Sequence, residues 1–368
     1  MDNSPGIKLL WISELTGDQF GLLAEVAAIY GLKELGVDIS VLCRPGSRFI
    51  TEFRSRGIPF HEKHPESKWD RKETKELRQV ILDGGYNIVH AFNNKAIIQA
   101  LRATRGLDVR IFTYRGFAGH IHWYDPGSYL THLNPRISGI WCVSKVVKEN
   151  LDKQFIGRKA PTRVIYKGHD PAWYEGVKPI GKETLGLAED DFAVVLVANY
   201  RKYKGVDDLV RSLEYIPEDL PIKLLIVGRG MEDAGLQKLV SNIPGKERVH
   251  FLGFRKDVLE VVASCDLAVN ASWTEAFSKT LFEAVYMDIP CAATAVSGNL
   301  ELIINEDQGW QVPVKNPKGM ANAIIDAFHH PKERQRRALN ARKYFEKNFR
   351  PEETAGQLFE WYGAVLSA

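Results

Sequence analysis

The chain has 368 residues, of which 45% are hydrophobic and 26% charged. This composition is typical of a folded globular protein and excludes a disordered, collagen-like or coiled-coil chain. The formal net charge of +3 is unevenly distributed, because residues 1–168 hold 25 Lys and Arg against 17 Asp and Glu. A basic N-terminal half is typical of a protein with an anionic partner, although a chance imbalance of surface charge explains so modest a bias equally well.

Short apolar runs alternate with amphipathic stretches along the first half of the chain. This pattern is typical of βαβ units and a parallel sheet. Helices are predicted near residues 22–35 and 96–105, and His90, inside a predicted strand, is expected to be a core histidine. The predicted strands of this half lie at residues 7–12, 37–43, 87–92, 109–114, 139–143 and 163–166.

A turn-rich stretch between Gly168 and Gly181 interrupts the alternation, which then begins again and ends in a strongly helical segment from about Pro331. We therefore predict an α/β protein with two doubly wound parallel-sheet domains, residues 1–168 and 169–345, followed by a helix over 346–368 that returns to the first domain. The predicted strands of the second domain lie at residues 192–198, 222–227, 249–252, 267–270, 291–294 and 309–312.

The sequence also limits where the protein works. The longest apolar run, from Phe192 to Ala198, is much shorter than the roughly 20 residues that a membrane-spanning helix needs. The N-terminus lacks the basic region of a signal peptide. The four cysteines are far apart and form no C-x-x-C pair, which predicts neither a disulfide framework nor a zinc site. A cytoplasmic location is expected.

Two glutamates follow the predicted strand at 267–270. Ser272 or Thr274 is expected to cap a helix there, which places Glu275 in a loop and Glu283 one to two turns inside the helix. Helix N-terminal N–H groups suit a diphosphate. Because a carboxylate beside a phosphate is repulsive, Glu283 is expected to hold a neutral ribose. By spacing alone, the alternative that both glutamates are solvated helix charges carries about half the weight.

This segment resembles the E-x7-E motif of the retaining glycosyltransferases of family 4, whose typical string is E-G-F-G-L-V-x-x-E-A. Glu275, Phe277, Glu283 and Ala284 match it by residue and spacing. The resemblance covers residues 192–315 and, more weakly, the N-terminal half. It implies the GT-B fold, with two Rossmann-like domains facing a cleft and a nucleotide-sugar donor bound mostly by the second domain. Further matches are V-G-x-G at 227–230, R-V-x-F-L-G at 248–253, A-D-x-x-x-x-P-S at 265–272 and the glycine-to-glutamate run at 295–301.

The resemblance implies roles for individual residues of the second domain. Glu283 would bind the ribose of the donor and Glu275 the hydroxyls of the transferred sugar. Lys204, the lysine of the family's K-G pair, would neutralise the phosphates, and Arg229 and the backbone around Phe254 would lie near the base. The diphosphate would be held by the N–H groups of Phe277, Ser278, Lys279 and Thr280.

The chain departs from the family pattern at two donor-side positions. The family's arginine before the lysine is replaced by Asn199, so Arg201 is expected to supply its charge from a different angle. Ser278 replaces a glycine and is expected to narrow the space above the diphosphate.

The N-terminal half carries the expected acceptor-side residues. Gly17 lies in the first βα turn, where the family has a glycine turn near the donor phosphate, although an ordinary loop explains it as well. Arg115 stands in the place of the family's histidine, and it can bind an anion but cannot act as a base at neutral pH. No general base is assigned. His120 and His122 suit an acceptor sugar, the alternative being a solvent-exposed loop.

The predicted function is transfer of a glycosyl unit, with retention of configuration, from a UDP- or GDP-linked sugar to a saccharide or lipid-linked glycan. Synthesis of cell-surface polysaccharide or lipopolysaccharide is the expected setting. No cofactor and no metal are expected, because Lys204, Arg201 and the helix N-terminus would stabilise the departing diphosphate.

Three other functions are alternatives to glycosyl transfer. A GT-B sugar-nucleotide epimerase would use no acceptor, and a sugar-nucleotide-binding protein would have lost catalysis. An NAD-dependent dehydrogenase is disfavoured because no G-x-G-x-x-G follows the first strand.

Partners other than the donor and the glycan are suggested by charge alone. Residues 131–168 contain eight basic and two acidic residues, so the first domain is expected to dock on an anionic membrane surface or acceptor. A peripheral location at the inner face of the membrane is consistent with this, and no nucleic-acid partner is expected. The basic residues are Arg136, Lys145, Lys148, Lys153, Arg158, Lys159, Arg163 and Lys167.

Overall fold

The computed structural model describes residues 6–17, 19–157 and 159–368, with the backbone alone for residues 19–21. Arg158, one of the basic residues considered above, therefore lies outside the described residues. The chain divides into two compact units. The first contains the described residues up to Asp170 together with Phe349–Ala368, and the second contains Pro171–Asn348.

The first unit is built on a parallel sheet. Its strands are β1 (Lys8–Ile12), β2 (Asp38–Leu42), β3 (Phe60–His61), β4 (Ile88–Ala91), β5 (Arg110–Arg115), β6 (Ile137–Cys142) and β7 (Thr162–Val164). Its helices are α1 (Gln19–Glu34), α2 (Ile50–Ser55), α3 (Arg71–Gly84), α4 (Asn94–Ala103), α5 (Pro126–Tyr129), α6 (Lys145–Asp152) and, from the end of the chain, α14 (Pro351–Leu366).

The strand order of this sheet is β3-β2-β1-β4-β5-β6-β7, and every pair is parallel. The order reverses between β1 and β4, so right-handed crossovers place helices on both faces of the sheet. Strands covered on both faces are continuous apolar runs, and Leu9, Leu10, Trp11 and Ile12 of β1 are all fully buried.

The C-terminal helix completes the core of the first unit. Gly31 of α1 lies so close to α14 that a Cβ at Gly31 would come within 2.5 Å of the Cβ of Ala355. Trp361 and Tyr362 of α14 are buried. The Tyr362 hydroxyl lies 2.5 Å from Nδ1 of His90, which is fully buried in β4. The expectation of a core histidine at this position is confirmed.

The second unit is built on another parallel sheet. Its strands are β8 (Phe192–Val197), β9 (Ile222–Val227), β10 (Val249–Gly253), β11 (Leu267–Asn270), β12 (Cys291–Thr294) and β13 (Trp310–Val312). Its helices are α7 (Val206–Ser212), α8 (Ala234–Ser241), α9 (Val258–Ala263), α10 (Lys279–Tyr286), α11 (Ser297–Leu300), α12 (Pro317–His329) and α13 (Pro331–Asn348). The strand order is β10-β9-β8-β11-β12-β13, which reverses between β8 and β11.

The predicted fold class of two doubly wound parallel sheets is confirmed. Twelve of the thirteen strands lie where apolar runs predicted them, and β3 was missed because it has only two residues. All four cysteines are free and buried. Among the described residues, no helix has both the length and the apolar character needed to cross a membrane.

Candidate functional site

A cavity of about 430 Å³ lies at the carboxyl ends of β8 and β11, where the strand order of the second sheet reverses. Open α/β sheets bind their ligands at such a reversal, because loops from neighbouring strands diverge there and leave a crevice. We refer to it as the switch-point cavity. Seven of the predicted site residues line it, namely Arg201, Lys204, Glu275, Phe277, Ser278, Lys279 and Thr280.

The loop after β8 approaches the loop after β11 through a glycine. Gly205 has a φ of +67°, and a Cβ there would lie 1.9 Å from the carbonyl oxygen of Ala271. A larger residue would therefore push the two loops apart. This close approach brings Lys204 to Glu275, with 2.7 Å between the lysine Nζ and Oε2 of the glutamate.

Glu275 lies in the loop, as expected, and is held on several sides. The hydroxyl of Ser272 donates to its Oε2 at 3.2 Å. Gly298 of α11 packs on its backbone, since a Cβ at Gly298 would lie 2.2 Å from the carbonyl oxygen of Glu275. The side chains of Lys204 and Glu275 are 24% and 14% exposed, so a ligand entering the cavity can still reach both.

The helix after this loop begins later than predicted. Ser278, and neither Ser272 nor Thr274, is the N-cap of α10, because its hydroxyl accepts a hydrogen bond from the N–H of Leu281. Nδ2 of Asn270 donates to the same hydroxyl at 2.8 Å and ties the cap to the end of β11. The serine that replaces the family's glycine is thus a buried cap.

This start changes which N–H groups belong to the first turn. Lys279 and Thr280 lie in it, whereas Phe277 and Ser278 precede the helix. Of the four residues whose N–H groups are expected to hold the diphosphate, two therefore lie before the helix and not in its first turn. All four nevertheless line the switch-point cavity.

Glu283 lies in the second turn of α10 and is almost fully buried. Its Oε1 lies 3.2 Å from Nζ of Lys279, one turn earlier on the same helix. Each glutamate of the motif therefore faces a lysine. The Lys279–Glu283 pair was not predicted, although a lysine and a glutamate four residues apart are a recognised signal of a helical ion pair.

The residue that replaces the family's arginine joins two loops. Oδ1 of Asn199 accepts a hydrogen bond from the N–H of Arg229 at 3.0 Å. Arg201 is exposed and donates to the carbonyl oxygen of Tyr200 at 2.9 Å. It lines the switch-point cavity, and its side chain is hydrogen-bonded to the backbone of its own loop.

Arg229 and Phe254 line a second cavity of about 620 Å³, next to the ends of β9 and β10. The guanidinium carbon of Arg229 lies 4.3 Å from the centre of the Phe254 ring. The ring itself is 57% exposed. An exposed ring stacked by an arginine offers a flat surface to a planar ligand.

In the first unit, Gly17 lies in the loop between β1 and α1 with a φ of +117°. Arg115 ends β5, and its guanidinium donates to the carbonyl oxygen of Gly119. Burial lowers the pKa of Arg115. Arg115 and His122 line a small cavity of about 130 Å³ against α6.

The two expected acceptor histidines lie on the segment after β5. His120 is exposed, has a φ of +58° and stacks on Phe117 with 5.3 Å between ring centres. His122 stacks on Tyr124 at 5.0 Å. Both rings thus face an exposed aromatic side chain, and Arg115, His120 and His122 share one loop.

A polar cluster at the carboxyl ends of β1 to β4 was missed. Nδ2 of Asn93 lies 2.9 Å from Nε2 of His64, and Arg44 pairs with Glu14 at 3.5 Å and with Glu66 at 3.0 Å. Burial lowers the pKa of His64. The five residues follow four different strands, so no spacing in the sequence could have revealed the cluster.

One residue assigned to the basic surface is buried instead. The Lys167 side chain is 13% exposed and lies 3.3 Å from Oε2 of Glu25, which is buried in α1. Its Nζ also lies 4.2 Å from the ring centre of Tyr114. Lys167 is therefore a core cation paired with a core carboxylate, and the expectation that it faces an anionic surface is wrong.

With the site described, comparison with known proteins identifies the family. The family described as "Glycosyl transferases group 1" matches residues 177–344, and "Glycosyltransferase Family 4" matches residues 28–173. The two matches lie on the second and first units and together include every predicted site residue except Gly17. The chain belongs to glycosyltransferase family 4.

The curated relatives are similar over part of their length. N-acetyl-alpha-D-glucosaminyl L-malate synthase of Bacillus anthracis is 31% identical over 60% of this chain and 56% of its own. Lipopolysaccharide glucosyltransferase WaaG of Escherichia coli K12 is 27% identical over 45% of each chain. The matches thus span about half the length of these relatives.

Solved structures are similar over nearly the whole chain. Anabaena HepE in complex with UDP has a TM-score of 0.78 at 21% identity, covering 98% of this chain and 100% of that one. The lipopolysaccharide glycosyltransferase WaaG has a TM-score of 0.67 at 17% identity, covering 95% and 98%. At these identities the likeness shows the fold, which is that of the GT-B glycosyltransferases.

Proposed function

We propose that this protein transfers a glycosyl unit, with retention of configuration, from a UDP- or GDP-linked sugar to a hydroxyl of a saccharide or lipid-linked glycan. The observation that carries the proposal is the pair of motif glutamates, Glu275 held by Lys204 and Glu283 held by Lys279. A sugar nucleotide carries hydroxyls, which carboxylates accept, and a diphosphate, which ammonium groups bind. The switch-point cavity offers both kinds of group.

Each donor role follows from position. Glu283 is the deeper carboxylate, and in this proposal it accepts the ribose hydroxyls. Glu275, in the loop at the mouth of β11, accepts hydroxyls of the transferred sugar. Lys204, assisted by Arg201, binds the phosphates together with the N–H groups of Lys279 and Thr280, which lie in the first turn of α10.

The nucleobase belongs to the second cavity. Phe254 is exposed and carries Arg229 on its ring, so a planar base can stack there or displace the guanidinium. The hydrogen bond from Arg229 to Asn199 links this cavity to the loop that leads to Lys204, which would align base and diphosphate along the ends of β8 to β10.

In the reaction, the bond between the anomeric carbon and the diphosphate oxygen breaks while the acceptor hydroxyl attacks from the same side. The acceptor proton passes to the departing phosphate oxygen, so no protein base is required. The negative charge that develops on the leaving group is stabilised by Lys204, Arg201 and the N-terminus of α10, without a metal. Exclusion of water would limit hydrolysis of the donor.

The acceptor would approach the loop after β5, where Arg115, His120 and His122 lie. Two curated relatives carry names that fit a glycan acceptor, namely the lipopolysaccharide glucosyltransferase of Escherichia coli and a galactosyltransferase acting on GlcNAc-diphosphoundecaprenol. These names support cell-surface polysaccharide or lipopolysaccharide synthesis as the setting. The relatives give no support to the epimerase alternative.

We further propose peripheral attachment to an anionic membrane. Trp123, Tyr124 and Ile156 are exposed, and the backbone N–H of Trp123 donates to Oε1 of Gln154 at 3.2 Å. Lys153 is exposed beside them. Aromatic side chains favour the bilayer interface, and each nearby cation contributes about 1 kcal/mol on an anionic surface.

The experiment is a thermal-shift series with UDP, GDP and their sugars, followed by a transfer assay with the sugar nucleotide that stabilises most. A ligand that binds only the native state raises the melting temperature by mass action. The proposal requires one nucleoside diphosphate to stabilise the protein and its sugar to be transferred. Lack of stabilisation by every nucleoside diphosphate would reject it, and turnover of the donor without acceptor into an isomer would favour an epimerase.

A further inference from the structure

A large cavity of the first unit shares no residue with the donor site of the second unit. This groove of about 970 Å³ opens on the first unit at the amino ends of β5, β6 and β7, beside the last turn of α14. Arg110 begins β5 and Arg115 ends it. Five steps along a strand span roughly 17 Å, so the groove is well separated from the loop that carries Arg115. We call it the amino-edge groove.

The amino-edge groove is strongly basic. Two side-chain carboxylates offset its cations: Asp108 lines the groove, and Asp152 pairs with two of the lysines. The positively charged side chains therefore outnumber the negatively charged ones by three. The cations are Arg110, Arg136, Lys148, Lys159 and Arg163.

Two of the cations share one carboxylate. Nζ of Lys148 and Nζ of Lys159 lie 2.6 and 2.7 Å from the same Oδ2 of Asp152. The hydroxyl of Thr162 donates to the other oxygen of Asp152 at 2.7 Å. One negative charge thus positions two ammonium groups, and the pair keeps a net positive charge.

A third cation is hydrogen-bonded only to uncharged groups. The guanidinium of Arg136 donates to the carbonyl oxygens of Leu101 and Thr104 and to the Thr104 hydroxyl. These partners carry no charge. Arg136 therefore fixes the shape of the groove and leaves its positive field in place.

Arg163 is exposed and lies over an aromatic ring. Its guanidinium carbon is 5.3 Å from the ring centre of Trp361. Among the residues that the structure describes, no carboxylate lies within ion-pair distance of Arg163. Trp361 is itself fixed by Phe112, whose ring meets it edge-on at 5.1 Å. The cation is therefore held in place before any ligand arrives.

Apolar groups complete the lining. Leu107, Ile137, Pro161 and Val365 lie between the cations. Fixed cations can bind charged substituents of a ligand, and apolar patches can pack against the apolar faces of its sugar rings. We propose that the amino-edge groove binds a saccharide carrying phosphate or carboxylate groups, at a site separate from the donor cavity.

The charge of the groove decides the ligand class. Guanidinium groups bind phosphate and carboxylate through paired hydrogen bonds, whereas a neutral glycan would supply no negative charge to pair with the excess positive charge. The volume is near the upper end of the roughly 300–1,000 Å³ that ligand cavities span. The inference does not depend on the proposed donor chemistry, since the groove shares no residue with the donor site.

The test uses the full chain and three probes in calorimetry: trigalacturonate, glucose 1,6-bisphosphate and, as a neutral control, maltotriose. At least one anionic probe should bind, and maltotriose should bind at least about tenfold more weakly. Arg163→Glu should weaken binding of the anionic probe at least about tenfold. Lys68→Glu changes the net charge equally at an exposed position outside the groove, so it should alter binding less than about twofold.

Binding of UDP to the same variants separates this inference from the proposed function, because Arg163→Glu should leave UDP affinity unchanged. Saturating UDP should likewise fail to displace the anionic probe. Equal effects of Arg163→Glu and Lys68→Glu, or absence of binding by both anionic probes, would overturn the inference. Binding of phosphatidylglycerol vesicles through Arg163 without binding of either saccharide would also overturn it and assign the groove to a lipid surface.

Discussion

The ammonium group of Lys204 lies 2.7 Å from the carboxylate of Glu275. In the proposed function the lysine binds the donor phosphates and the glutamate binds the donor sugar. An arriving donor therefore has to replace an existing ion pair with two separate interactions. Lys279 and Glu283 form a second such pair one turn into α10, so each motif glutamate is paired with a cation that, in the proposed function, a ligand with both hydroxyls and phosphates would engage.

Substitutions in the Lys204–Glu275 pair should have different consequences. Glu275→Gln removes the partner of the sugar, so it should reduce transfer strongly while leaving UDP or GDP affinity unchanged or higher, because Lys204 is released for the phosphates. Lys204→Ala should weaken both transfer and nucleoside-diphosphate affinity. Steady-state transfer rates and calorimetric affinities measure the two effects separately. Equal losses of diphosphate affinity in both variants would show that one role is misassigned.

Glu283→Ala should weaken nucleoside-diphosphate binding by about 1.5–3 kcal/mol, the typical value for lost hydrogen bonds to a charged group. The affinity for pyrophosphate should change less, because pyrophosphate has no ribose for Glu283 to bind. Calorimetry with UDP and with pyrophosphate compares the two. Glu283→Gln keeps the shape of the buried side chain and serves as the control for packing. Parental UDP affinity in Glu283→Ala would remove the ribose role.

The buried pair between Lys167 and Glu25 should matter for stability. Lys167→Met leaves Glu25 buried without its cation, while Nε1 of Trp11 still donates to that carboxylate at 3.1 Å. Breaking a buried ion pair on one side typically costs about 3–5 kcal/mol. Urea unfolding should show this loss in the single variant and a much smaller loss in Lys167→Met combined with Glu25→Gln. Equal losses in the two proteins would refute a coupled pair.

Two buried histidines should make stability depend on pH. Burial lowers the pKa of His90 and of His132 to about 3 from an ordinary 6.5. As the pH falls below about 6.5, these histidines become protonated in the unfolded chain but stay neutral in the native state. The free energy of unfolding therefore falls. Each histidine contributes up to about 1.4 kcal/mol per pH unit.

A variant isolates one of these contributions. Nδ1 of His132 lies 3.0 Å from the hydroxyl of Thr113, and His132→Asn retains a polar group near that hydroxyl without a titrating ring. Urea unfolding between about pH 7 and about pH 5 should show a shallower loss of stability in the variant. Parallel curves for the two proteins would contradict the lowered pKa.

The sequence predicted the sheets well because both are buried on two faces. Strands such as β8 and β9 are continuous apolar runs, and burial alone accounts for them. The placement of Glu275 in a loop and Glu283 in a helix also followed from local pattern. What the sequence did not reveal was the partner of Glu275, because Lys204 reaches this glutamate only through the close approach at Gly205.

Other misses have similar physical causes. The start of α10 was misplaced because three residues able to cap a helix stand within seven positions, and the choice of Ser278 depends on Asn270 at the end of a strand. Lys167 was assigned to the surface because its charge is evident from sequence, whereas Glu25, more than a hundred residues earlier, is brought to it only by the fold.

The return of α14 to the first unit also has a consequence for synthesis of the chain. On the ribosome, domains usually fold in the order in which they emerge. Here the first unit cannot bury α1 or surround His90 until Ala355 and Tyr362 have left the exit tunnel, whereas the second unit is complete by Asn348. The half made first is therefore the half completed last, because part of its core comes from a helix that is translated after the whole of the second unit.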